Sequence, residues 1–143
     1  MQKSLIHNYL HYHYKLFLLS EKFVIEDTCE EETVNVNLEL FNLAFKNIID
    51  NALKYSASND VIRVTTKVED ESVVFSVYNP LTVAIKPDVH QLGIPLYRAN
   101  PSDGRGLGLG LGIVKHVAEM HNCELNYYVT DMEFGISLRF TAI

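Results

Sequence analysis

Five of the seven glycines in this 143-residue chain fall between Gly104 and Gly112, in the run Gly-Arg-Gly-Leu-Gly-Leu-Gly-Leu-Gly. Glycine at every second position suits neither a helix nor a strand. It suits a loop whose backbone amides close on a ligand with no Cβ in the way. An apolar helical stretch, Leu111 to His121, follows at once. A helix opening from such a loop aims N–H groups and the positive end of its dipole at an anion, usually a phosphate. A tightly packed turn would use the same composition, so the run gains meaning only beside a second signal.

That signal lies on the stretch Leu38 to Tyr55. Phe41, Ala44, Phe45, Ile48, Ile49 and Ala52 recur at helical spacing and predict a buried stripe. Asn47, Asn51, Lys54 and Tyr55 stand at i, i+4, i+7 and i+8 and share another face. Asparagine is a mediocre helix former, so two in one row invite a reason. A plain solvent-facing stripe is one reading. The chemical reading is a nucleotide wall, with amide oxygens for Mg²⁺, an ammonium for phosphate and a phenol ring along a base.

The elements that must position these residues follow from periodicity. Ser4 to Lys22 reads as a first helix. Phe23 to Asp27 and Val34 to Val36 are short strand candidates around an acidic turn. Val61 to Val68 and Ser72 to Tyr78 read as a hairpin across Glu69-Asp70-Glu71. Asn79 to Arg105 is irregular and holds all four prolines, as a functional lid would. It predicts poor order between about Leu81 and Gly104 without a ligand. Glu124 to Thr130 and Glu133 to Thr141 close the chain as strands. The expected fold is an α/β (α+β) two-layer sandwich, a mixed sheet of about five strands with three helices on one face and a long lid.

Composition bounds the partners. The chain is 48% hydrophobic and 21% charged, with formal net charge −6, and is sized for one domain, residues 1–143. The acidic balance argues against a nucleic-acid surface. Cys29 and Cys123 lack a CxxC partner, which disfavours zinc and disulfide frameworks and fits a reducing cytoplasm. No apolar run approaches the roughly 20 residues that cross a bilayer.

Taken together, Asn47-Ile-Ile-Asp-Asn51-Ala-Leu-Lys54-Tyr55-Ser56 and Gly106-Leu-Gly108-Leu-Gly110-Leu-Gly112-Ile-Val resemble the N box and G2 box of the catalytic ATP-binding domain of bacterial sensor histidine kinases. That domain has the Bergerat-type fold shared with gyrase and MutL. The resemblance implies that Asn51, with Asn47 beside it, holds Mg²⁺, that Lys54 neutralises phosphate and that Tyr55 lies along the nucleotide. It places Gly106, Leu107, Gly108, Leu109, Gly110 and Leu111 against the phosphates of ATP. Leu96-Tyr97-Arg98 looks like the tail of the family's F box, which makes Arg98 a candidate for the γ-phosphate and Arg105 a second one. Asn47, Lys54 and Arg98 are thus the implied catalytic set.

The same comparison exposes departures. The family's G1 box is Asp-x-Gly-x-Gly, and its aspartate accepts from the adenine amine. Here the stretch is Val77-Tyr78-Asn79-Pro80-Leu81-Thr82-Val83, so Asn79 stands in the aspartate's place and both glycines are gone. An amide oxygen still accepts, without charge assistance. Gly93 replaces the F box's first phenylalanine. None of the six histidines, His7, His11, His13, His90, His116 and His121, lies in the phosphoacceptor context His-(Glu/Asp)-x-x-x-Pro. The resemblance therefore implies a donor domain, with a lid at about 80–106 and no dimerisation or phosphoacceptor domain. Its partners would be the dimerisation domain of the same kinase and a response regulator. The implied parent is a membrane-anchored homodimer with this domain in the cytoplasm. The alternative is a nucleotide-impaired pseudokinase that serves as an interaction module.

Overall fold

A computed structural model describes residues 22–27, 34–56, 60–80 and 110–141 of the chain. The expected first helix at 4–22 lies outside the described residues except for Lys22, which is not helical. The lid from 81 on and the glycine run up to Leu109 also lie outside them, while Asn79 and Pro80, expected as irregular, extend β3 because they pair with Phe134 and Glu133. Five strands, β1 (Phe23–Asp27), β2 (Ile62–Glu69), β3 (Ser72–Pro80), β4 (Glu124–Val129) and β5 (Glu133–Thr141), form one sheet in the order β1-β2-β3-β5-β4. The β1–β2 pair is parallel and the other three pairs are antiparallel, so the sheet is mixed as expected. Two described helices, α1 (Leu38–Tyr55) and α2 (Gly110–Met120), pack into one core with the sheet. The expected strand Val34 to Val36 is not one: Val34 makes a single bridge and Asn35 to Asn37 run on as an irregular lead into α1.

Sequence explains where α1 starts and what it buries. The Asn37 side chain accepts from the Leu40 N–H at 3.1 Å, which caps the helix. Phe41, Ala44, Phe45, Ile48, Ile49 and Ala52 are all buried, the stripe their spacing predicts. Phe45 meets Phe75 of β3 edge-on at 5.0 Å, and Phe41 reaches Phe75 and Phe140 at 5.9 and 6.1 Å. Burying each such ring is worth about 2–3 kcal/mol, more than the ring geometry adds. These contacts fix the first half of α1 over Phe75 of β3 and Phe140 of β5.

Helix α2 runs the other way. Its first residue, Gly110, lies against Asn47, and its last turn reaches the start of α1. There the His121 ring bridges the two helices. Its Nδ1 hydrogen-bonds the Val117 carbonyl at 2.9 Å, and its Nε2 accepts from the Asn37 N–H at 3.0 Å. The helix ends as a Schellman turn, with Asn122 at φ 50° and the Cys123 N–H donating to the Ala118 carbonyl at 2.9 Å.

The far face of the sheet is a polar and aromatic lattice. Ser76 and Ser137 share a hydrogen bond of 2.8 Å, and the Arg63 guanidinium lies 4.4 Å over the Tyr78 ring. That ring lies across Gly135: a Cβ there would come within 2.5 Å of it. Glu69 accepts from Arg139 at 2.7 Å and pairs with Lys67 at 2.9 Å.

Two predictions follow from these elements. The β2–β3 loop is the pair Asp70-Glu71, at φ 46° and 64°, the positive values a two-residue hairpin demands. Aspartate tolerates that region and glutamate does not, so Glu71→Gly should raise stability by about 1 kcal/mol in urea unfolding. Second, hydrogen bonds from Lys67 and Arg139 hold the Glu69 carboxyl below its usual range. A depressed folded value stabilises above the unfolded value, about pH 4.3, and that contribution fades as pH falls through the folded one. Glu69→Gln should therefore lower the melting temperature slightly at pH 7 and match the wild type at about pH 2–3, read by thermal scans at both.

Candidate functional site

Three features make up the candidate site. The first is the flank of α1 that faces α2. Along it Ala44 packs with Val117 and Ala118 of α2, and Asn47 meets Gly110, where α2 begins. Past that point Asn51 and Lys54 continue the row, half-buried, beyond the first turn of α2. The helix row thus changes from apolar to polar where the covering helix starts.

The second feature is the N-terminus of α2 itself. Asn47 Nδ2 donates to the Leu43 carbonyl one turn back, at 2.8 Å. That bond orients the amide and turns Oδ1 toward Gly110. A Cβ on Gly110 would lie 3.0 Å from this oxygen. Glycine lets the start of α2 sit directly against the Asn47 amide. The first N–H groups of a helix have no partner within it, and together with the dipole they favour an anion at this spot. Leu111 turns inward and packs against the core.

The third feature is Asn79, on the helix-facing side of β3 opposite Phe134 of β5. It is only 2% exposed, among apolar neighbours. Its Nδ2 donates to the Pro80 carbonyl at 3.2 Å, the one hydrogen bond of that amide among the described residues. A buried amide oxygen held in this way suits a ligand donor.

The structure brings Asn47 against Gly110, sets Asn51 and Lys54 further along the same row of α1, and places Asn79 opposite Phe134 on the sheet. Tyr55 ends α1, with only its backbone described. Arg98, Arg105, Gly106, Leu107, Gly108 and Leu109 lie outside the described residues, as do His7 and His11. Sequence reading missed the Asn79–Phe134 pairing and the fit of Gly110 to Asn47. The first had a signal in the strand parity of Phe134 to Phe140; the second had none, because it depends on the helix crossing. Among the described residues no cluster of three or more His, Cys, Asp or Glu is placed to hold a metal. Burial pushes the Cys123 thiol up to about 12, so it is a poor nucleophile near neutral pH.

The chain resembles known proteins in sequence and in fold. The model of the histidine kinase-, DNA gyrase B-, and HSP90-like ATPase family matches residues 37–142. The chain is 31% identical over 121 residues to the sensor histidine kinase ArsS of Helicobacter pylori, covering 78% of this chain and 27% of that protein. It is 35% identical over 81 residues to the sensor histidine kinase CusS of Escherichia coli, covering 54% of this chain and 17% of that protein. The chain therefore spans about a quarter or less of these relatives. In fold it is similar to the nucleotide-free catalytic domain of the histidine kinase ThkA, with TM-score 0.77 at 18% identity, over 96% of this chain and 90% of that one. A mycobacterial sensor histidine kinase, MprB, gives TM-score 0.72 at 18% identity, over 97% and 93% of the two chains. No described helix is long and apolar enough to cross a membrane.

The contact between Asn47 and Gly110 makes a direct prediction. Gly110→Ala should displace the Asn47 amide and lower stability by about 1 kcal/mol net of helix propensity. In an Asn47→Ala background the added methyl has room, and the same change should be neutral or stabilising. A double-mutant cycle by urea unfolding should give a coupling of about 1 kcal/mol.

Proposed function

This chain belongs to the histidine kinase-, DNA gyrase B-, and HSP90-like ATPase family, as the catalytic ATPase domain of a sensor histidine kinase, and on that premise we propose that it binds Mg·ATP at the α1–α2 end described above. The observation that carries this reading is the junction at Asn47 and Gly110, where the polar row of α1 emerges beside the first described turn of α2.

Bound there, ATP would supply the phosphoryl group and Mg²⁺ the charge that bridges its phosphates. The residues present fit that pair. Asn51 and Asn47 offer hard amide oxygens for a divalent ion. Lys54 offers an ammonium to phosphate oxygens, and the first turn of α2 offers backbone N–H groups. Asn79 offers a buried acceptor to the base. Arg98, Arg105, Tyr55 and the run from Gly106 to Leu111 complete the set by resemblance.

Asn47 bears on the choice between transfer and hydrolysis. Its amide cannot take a proton near neutral pH, so it cannot activate water as a carboxylate there would. Its Nδ2 is also committed to the Leu43 carbonyl. With no base at this point, the γ-phosphoryl is preserved for another acceptor. We propose that this acceptor is a histidine on a dimerisation domain of the same kinase, with relay to a response regulator. We further propose that residues 1–143 form one catalytic domain with a lid at about 80–106, within a membrane-anchored homodimeric parent whose catalytic part is cytoplasmic. The degenerate G1 box at Asn79, Leu81 and Val83 belongs to this proposal as a variant base site.

Calorimetric titration of Mg·ADP into the chain and into Asn51→Ala tests the site. Saturable one-to-one binding should weaken at least about tenfold in the variant, a loss of about 1.4 kcal/mol. Absence of binding up to about 1 mM in the wild type would support the pseudokinase alternative, which Asn79 in the aspartate's place favours.

A further inference from the structure

Most groups outside the site are already satisfied by the fold. The apolar notch between the start of α1 and the end of α2, lined by Phe41, Val117, His121 and Cys123, shows nothing of what would fill it. The Glu69–Arg139 lattice binds the sheet to itself. The edge of the sheet at β4 differs. The order β1-β2-β3-β5-β4 leaves β1 and β4 with one neighbouring strand each. Of these, β1 has five residues and ends in Glu26 and Asp27, the short and charged form that protects an edge. Strand β4 reads Glu-Leu-Asn-Tyr-Tyr-Val, with a single charge at its start, no lysine and no proline. It pairs with β5 without a bulge, from Glu124 opposite Arg139 to Val129 opposite Phe134. None of the usual devices turns a further strand away from it.

The hairpin fixes which backbone groups of β4 face outward. The Thr130 N–H donates to the Glu133 carbonyl at 2.9 Å, so these two residues form a hydrogen-bonded pair. Such pairs alternate along an antiparallel ladder. Tyr128, Asn126 and Glu124 therefore bond to β5, and the N–H and C=O groups of Leu125, Tyr127 and Val129 point outward, with no partner among the described residues. The same three side chains lie on the helix-facing side and are only half-buried against the core. We propose that β4 pairs antiparallel with β4 of a second copy of this chain, about a two-fold axis at Tyr127, and extends the sheet across both. This register sets Leu125 against the second copy's Val129 and uses every outward group of the three residues. On the other face it sets Asn126 against the second copy's Tyr128 and Glu124 against its Thr130, so no like charges meet. A slip of one residue would set the apolar row against the polar one. In the homodimeric parent proposed above the two copies are tethered, which makes a weak pairing intramolecular.

Sedimentation velocity of the chain from about 10 μM to about 1 mM should show a reversible monomer–dimer equilibrium with a dissociation constant of about 0.1 mM, weak because an edge contact is small. A chain that stays monomeric throughout would overturn the proposal. Over the same range the amides of Leu125, Tyr127 and Val129 should exchange hydrogen about threefold or more slowly at the high end, because only the dimer protects them. Unchanged exchange at these amides in a chain that does dimerise would place the contact elsewhere and refute the pairing. Charge placement tests the register. Asn126→Lys with Tyr128→Lys sets lysine against lysine twice and should weaken the dimer at least about tenfold. Asn126→Lys with Tyr128→Glu sets lysine against glutamate twice and should dimerise at least as tightly as the unaltered chain. Both variants change exposed side chains and lose the same tyrosine, and circular dichroism checks that each is folded. Equal dimerisation of the two folded variants would refute the register, and the exchange measurement stands without either of them.

Discussion

Helix α2 begins where the apolar flank of α1 ends, and the contact that sets this limit is the Asn47 amide against Gly110. Everything at the site depends on it. The Leu43 carbonyl turns the Asn47 amide, and the absent Cβ at Gly110 lets α2 approach it. The crossing fixes both the opening of the site and the direction of the helix dipole.

The opposite end of the helix pair holds that crossing in place. His121 ties the last turn of α2 to the backbone just before α1. Phe41, Phe45, Phe75 and Phe140 anchor α1 to the sheet at the same end. Rings buried there contribute several kcal/mol together, and Ile48, Ile49 and Ala52 carry the buried stripe on through the second half of α1.

Much of this was legible from sequence alone. The bounds of α1, the buried stripe and the alternation of β5 are short-range patterns, and they appear as the periodicity predicts. The polar row from Asn47 to Lys54 was visible for the same reason. Three things were not. Val34 to Val36 has strand-like composition, yet the chain is drawn out there to place Asn37 as a helix cap. The role of Gly110 depends on a helix crossing that no local pattern encodes. Asn79 reads in sequence as a weakened aspartate. Its bond to the following carbonyl, which fixes which atom faces outward, emerges only from the strand's conformation at Pro80.

Neutrality links the two asparagines at Asn47 and Asn79. Each is an amide where related chemistry uses a carboxylate, and each has its nitrogen committed to a backbone carbonyl, Leu43 in one case and Pro80 in the other. In both, the fold converts an ambivalent group into an oriented acceptor. An oriented amide differs from a carboxylate in one physical respect: it neither takes up a proton nor repels the phosphates of a nucleotide. In the proposed nucleotide site, Asn47 would then supply no base to activate water and Asn79 would offer an acceptor independent of pH. Lys54 on this flank carries the sign that phosphate requires. A site built from oriented dipoles, one ammonium and a helix N-terminus can hold a triphosphate and its metal without supplying a group that attacks it.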